Sequence, residues 1–197
     1  MKYLKFLTKA SNQHGVHSPF VYHLVTKCFY QKTDINLWQK FLTAKQEVLN
    51  SKISTDKGLS NKKAKLLIRL IDYFKPVSVL EISNSSNLVN TAIKVGNPNS
   101  SIISIKKISK VDKEFNFIYF NKNKSKKELL NYFNSYLSTA SNDSIWVFDT
   151  IYINKEIQEA WLEIKNNEKV RVTVDLFFWG IVFFRKEQAK EHFKIRV

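Results

Sequence analysis

Val77-Ser78-Val79-Leu80-Glu81-Ile82, then Ser83-Asn84-Ser85-Ser86-Asn87, then Leu88 to Val95: these three adjoining stretches decide the fold. The first is a short apolar run, which suits a strand buried on both faces of a parallel sheet. The second is polar. The third reads as a helix and is ended by Gly96-Asn97-Pro98. The theme recurs downstream. Ser101 to Ile105 predicts a second strand and Phe115 to Phe120 a third; Ser125 to Leu137 predicts a helix. Ser144 to Asp149 predicts a fourth strand, and Lys155 to Lys165 another helix. Val170 to Leu176 and Ile181 to Arg185 are separated by little more than Phe177-Phe178-Trp179-Gly180, so they should close as a hairpin. Alternating strands and helices with a closing hairpin predict an α/β fold. Its sheet is mostly parallel, with an antiparallel C-terminal strand and helices on the faces.

Residues 1–75 read as a helical N-terminal extension, ahead of a sheet domain over 76–197. Lys2, Lys5 and Lys9 fall at helical spacing opposite Leu4 and Leu7. Ser18-Pro19 has the form of an N-cap followed by Pro at the first helical position, opening a helix to about Tyr30. Leu37 to Asn50 predicts another, with Phe41, Leu42, Val48 and Leu49 inward. Ser51 to Asn61 is polar and reads as a loop. Lys62 to Phe74 is amphipathic along Leu66, Leu67, Leu70, Ile71 and Phe74, and Pro76 stops it. Lys186 to Val197 is expected to be a short basic tail.

Lys and Arg number 32 against 17 Asp and Glu, a net charge of +15, and residues 1–100 carry more of the excess. That exceeds what solubility asks and favours a polyanionic partner, nucleic acid or an anionic membrane surface. Compositional drift toward Lys, the less specific phosphate ligand, would give the same number. Apolar residues make up 44% of the chain, enough for a substantial core. No apolar run is long enough to span a bilayer. The N-terminus lacks the continuous apolar run and cleavage site of a signal peptide, so a cytoplasmic location is expected. Cys28 is the single cysteine; it excludes an internal disulfide and a cysteine metal site, and should lie buried in a helix.

Several local stretches point to one family. His14-Gly15-Val16-His17-Ser18-Pro19-Phe20-Val21 resembles the opening of a Bacteroidetes-type class I S-adenosylmethionine-dependent methyltransferase family. Thr173-Val174-Asp175-Leu176-Phe177, Gly180 to Arg185, Glu187-Gln188 and His192-Phe193 look like that family's ending. Asp149 with Ile151, Glu156 and Ala160-Trp161 is similar to its penultimate block. The resemblance spans nearly the whole chain. It implies a Rossmann-like methyltransferase fold whose cofactor would sit beyond the carboxyl ends of the strands.

Against that family the departures gather at the cofactor. Its Glu-Leu-Gly-Thr-Ser-Leu-Gly reads here Glu81-Ile82-Ser83-Asn84-Ser85-Ser86-Asn87, without either glycine. Glycine there lets backbone turn tightly and approach the cofactor without a Cβ. Glu81, Ser83, Ser85 and Asn87, with Asp149, are thus the remnants of a cofactor site. The next strand should end in an acid for the ribose hydroxyls; here Lys106-Lys107 follows, and lysine cannot accept those hydrogen bonds. The short step from Lys107 to Phe115 implies that one strand-helix unit is missing. Asn121 to Lys124 and Thr150 to Asn154 stand where the family carries acids and histidines, so no metal is expected.

The expected outcome is a basic rim: Lys106, Lys107, Lys122, Lys124, Lys126 and Lys127 at the strand ends, with Lys2, Lys5 and Lys9 as a second basic set. His14 and His17 lack accompanying acids and are expected to dock the N-terminal arm. The leading functional expectation is a pseudoenzyme with no catalytic residues and no cofactor, acting on RNA or a ribonucleoprotein such as the ribosome. The alternatives are an active methyltransferase that retains S-adenosylmethionine, and a scaffold subunit of a protein complex.

Overall fold

A computed structural model describes residues 2–50, 59–83, 87–108, 113–121 and 125–197. The chain opens with α1 (Lys2–Leu7), a single 3-10 turn (Gln13–Gly15) and α2 (Pro19–Leu24), which widens into a π-type turn over Val25–Phe29. Next come α3 (Ile35–Asn50) and α4 (Asn61–Phe74), then β1 (Ser78–Ile82), α5 (Asn87–Gly96), β2 (Ser101–Ile105) and β3 (Phe117–Phe120). After these follow α6 (Lys126–Tyr136), β4 (Ile145–Asp149), α7 (Lys155–Asn166), β5 (Val172–Asp175), β6 (Trp179–Phe183) and β7 (Glu191–Lys194). Helix starts are where the polar caps stand: the Ser18, Ser60 and Ser125 hydroxyls and the Asn154 amide oxygen each accept a backbone N–H of the first turn.

The strands form one sheet in the order β2-β1-β3-β4-β6-β5-β7. Strands β2, β1, β3 and β4 are mutually parallel, and β6 runs antiparallel to both β4 and β5. The hairpin and the antiparallel strand thus stand as the sequence suggests. Among the described residues nothing regular lies between β2 and β3, so one strand-helix unit is absent and β2 borders the sheet.

Alternation along each strand feeds two cores. On β4, Ile145 and Val147 join the buried cluster of α2, α3, α4 and α5, whereas Trp146 and Phe148 join that of α6 and α7. Gly180 on β6 lets Trp161 of α7 approach the sheet closely: a Cβ there would sit 2.6 Å from the indole.

Three expectations need correction. Leu49 is exposed rather than inward. Val48 lies seven residues from the buried Phe41 and returns to its face; one residue further turns the side chain about 100° away. The basic tail is also not plain coil, because Glu191–Lys194 pairs parallel with β5. The N-terminal arm then adds a bridge at Ser11 and Ile195. The arm is docked by the buried Val16 and by Ser18, whose hydroxyl meets Gln188 Oε1 at 3.3 Å, while His14 and His17 face solvent.

Gly180→Ala is expected to lower stability by about 1–3 kcal/mol through overpacking against Trp161. Urea denaturation should show an earlier midpoint at unchanged slope.

Candidate functional site

Open α/β sheets take ligands at the carboxyl ends of their strands. Here that edge carries the ends of β1, β2, β3, β4 and β5. Glu81 is fully buried near the end of β1, level with Tyr119 of β3. Ser83 follows, buried, with its N–H on Ile105 O at 3.0 Å; among the described residues its Oγ has no hydrogen-bond partner. Asn87 is the exposed first residue of α5. Ser85, Lys122, Lys124 and the side chain of Lys2 lie outside the described residues.

Asp149, the last residue of β4, is 4% exposed. The Lys63 ammonium, reaching over from the first turn of α4, forms an ion pair with its Oδ1. Tyr119 donates its hydroxyl to Oδ2 at 3.1 Å. Burial pushes the Asp149 carboxyl above its ordinary pKa; Lys63, and after it Tyr119, act against that rise. Burial and the neighbouring carboxylate hold the Tyr119 phenol well above its ordinary value, so it remains a donor. The next residue, Thr150, has a φ of 56°, an uncommon conformation for a β-branched residue. The turn places its N–H on Phe178 O at 2.8 Å.

Aromatic side chains close the neighbouring part of the edge. Phe177, at a φ of 70°, stacks on Tyr152 with ring centroids 5.3 Å apart. α1 lies against them: Tyr3 meets Phe177 edge-on at 4.9 Å, and Phe6 approaches Phe177 at 5.5 Å. Beneath, Tyr152 donates its hydroxyl to Asp175 at 2.6 Å, and Phe177 N–H reaches the same carboxylate at 3.2 Å. The arm is held in place where Ser11 N–H donates to Lys194 O at 2.8 Å and Arg196 N–H to Ser11 O at 3.1 Å.

The expected basic residues separate into two groups. Lys106 and Lys107 after β2, Lys127 on α6, and Lys5 and Lys9 near the start are exposed. Lys126 is engaged instead: its ammonium lies 2.5 Å from Glu163 and 3.7 Å from Glu159 of α7. Among the described residues no three His, Cys, Asp or Glu gather as a metal site. Cys28 is buried as expected, and burial pushes its thiol up to about 12, leaving it inert.

The residue that sequence reasoning missed is Lys63. It shares a helical face with Leu66, Leu67 and Leu70, which are all buried. A lysine on the inward stripe of an amphipathic helix was the available signal.

Neither a family model nor a curated protein matches the sequence. Solved structures match its fold. The SAH-bound methyltransferase PaMTH1 of Podospora anserina aligns with a TM-score of 0.58 at 12% identity, over 84% of this chain and 93% of its own. The O-methyltransferase of Bacillus cereus in complex with SAH aligns with a TM-score of 0.53 at 12% identity, over 76% and 91%. TomG of Streptomyces achromogenes, an O-methyltransferase of tomaymycin synthesis in complex with SAM, gives 0.50 at 10% identity, over 83% and 94%. The chain therefore has the Rossmann-like fold of class I S-adenosylmethionine-dependent O-methyltransferases.

Breaking the buried pair at Asp149 is expected to cost about 3–5 kcal/mol, because it strands a desolvated charge. Lys63→Met should show this in urea melts, and adding Asp149→Asn should recover much of the loss. Without Lys63 the folded pKa of Asp149 rises further above its unfolded value. The K63M penalty should therefore be full above the folded pKa and shrink as pH falls toward the ordinary value of 3.8. Equal penalties at pH 4 and pH 7 would contradict the assignment.

Proposed function

We propose that this chain is a methyltransferase-fold protein that has lost methyl transfer and serves as a basic binding or structural component on RNA or a ribonucleoprotein such as the ribosome. The observation that carries this reading is the engagement of Asp149. It heads the stretch that resembles the family's penultimate block, and Lys63 and Tyr119 hold it in a buried pair. Such a carboxylate is poorly placed to bind a metal or take a substrate proton.

The residues around it do not suit S-adenosylmethionine. No glycine stands in the turn after β1, and Ser83 fills its start with a buried side chain. Lysine, not an acid, follows β2 where ribose hydroxyls would need an acceptor. What the edge offers is cationic: Lys106, Lys107, Lys127, Lys5 and Lys9 are exposed on a chain of net charge +15. These suit phosphate oxygens without base readout. Lys126, paired with α7, ties two helices together rather than meeting phosphate.

The competing reading, an active methyltransferase, draws on the likeness to SAH-bound chains. Calorimetry separates the two: the proposal expects no heat with S-adenosylmethionine up to roughly millimolar concentration, far weaker than the micromolar range of working sites. Labelled single-stranded RNA should bind with log affinity falling linearly against log salt, by about 0.7 per phosphate neutralised. Replacing Lys106 and Lys107 with Glu should weaken binding alike for all sequences and flatten that slope by about 1–2. Micromolar cofactor binding, or RNA affinity indifferent to salt, would sink the proposal.

A further inference from the structure

β2 pairs with β1 through five consecutive residues on its inner side. Among the described residues no strand pairs with its outer side. Natural edges are usually blunted by proline, a bulge or an inward charge. Ser101-Ile102-Ile103-Ser104-Ile105 has none of these within the strand. Its three isoleucines are half-buried, Ile102 toward one core and Ile103 and Ile105 toward the other.

Beside this edge lies a cavity of about 650 Å³ between α3, α5 and β2. Leu37, Val95 and Ile102 give it an apolar wall; Lys40 and Lys94 stand at it as cations. Asp72 also lines the cavity, but it is ion-paired with Lys75. At the carboxyl end of the strand stand Lys106 and Lys107, both exposed.

We infer that β2 accepts an extended segment of a partner protein as an eighth strand of the sheet. The segment carries an apolar run flanked by acidic residues. Its backbone pairs with the outer N–H and C=O groups of Ser101–Ile105, alternate side chains enter the cavity, and its acids meet Lys40, Lys94, Lys106 and Lys107. Backbone pairing supplies affinity in this mode, and the alternating pockets supply specificity. A second copy of the chain is the poorer occupant, since it would bring another +15 of charge to the same edge.

The test uses the full chain and fluorescein-labelled peptides that share a Val-Thr-Val-Ile-Val core, with Glu-Glu, Ser-Ser or Lys-Lys at both ends. Fluorescence anisotropy should rank the acidic probe first, with the neutral probe about tenfold weaker and the basic probe silent. N-methylation of alternate residues should abolish binding in one phase and leave it in the other, because only one edge of the probe strand pairs with β2. The K40E/K94E variant, which alters exposed side chains outside the proposed RNA rim, should bind the acidic probe at least tenfold more weakly. No binding of the acidic probe, equal loss in both N-methyl phases, or equal binding of the basic probe would overturn the inference and leave Lys106 and Lys107 as guards of the edge. So would single-stranded RNA losing affinity on K40E/K94E as strongly as the peptide does, which would make the surface a polyanion site.

Discussion

Lys63 and Asp149 share one desolvated spot at the end of β4, and the surrounding structure is arranged to keep them together. Removing a carboxylate from water costs several kcal/mol unless a cation and good hydrogen bonds compensate. Here the compensation comes from two different elements, the start of α4 and the middle of the sheet at Tyr119. α4 reaches that spot because of how it packs further along. Gly96 allows α5 to close on α4, since a Cβ there would lie 2.8 Å from that of Ile71. Ile71 is eight residues from Lys63, or about 12 Å along the axis. A close helix contact near the amino ends of the strands thus fixes where a cation stands at their carboxyl ends.

The same edge shows which residues the fold itself depends on. Strand order and burial depend on apolar alternation, and Val79, Ile118, Val147 and Phe148 supply it in full. Buried polar groups at that edge must be satisfied. At Asp149 that is done by a cation. At Asp175 it is done by the Tyr152 hydroxyl and a backbone N–H, roofed by Phe177 and α1.

Legibility in the sequence followed locality. The strands of the sheet interior, the closing hairpin and the missing unit after β2 were readable because each depends on a short apolar run or on a count of residues. Glu191–Lys194 was not, because it is a short polar strand that packs one side chain, Phe193, against the core and pairs with β5 mainly through backbone. α1 against Phe177 was not, because residues so far apart leave no periodic signal. Lys63 lay between these cases. Its position on the inward stripe was visible, but its partner across the sheet was not. The resemblance supplied Asp149 as a candidate, and packing showed that its carboxylate is already engaged.

The distribution of charge follows from that engagement. Inside, Lys63 is balanced by Asp149. On the helices, Lys126 is balanced by Glu163 and Glu159, and in the loop after β6 Arg185 by Glu187. Pairing of this kind uses up acids, which number only 17 against 32 Lys and Arg. The uncompensated charge is therefore pushed onto surfaces where lysine heads are hydrated and cost little. At physiological ionic strength such charges act over only about 8 Å. Net charge alone cannot select a partner at that range, so local shape has to. One place, at Lys5 and Lys9, offers hydrated lysines beside the aromatic cluster at Phe177. The other offers them beside an open strand edge and an apolar cavity, which suits a chain that can lend both a backbone and a side chain.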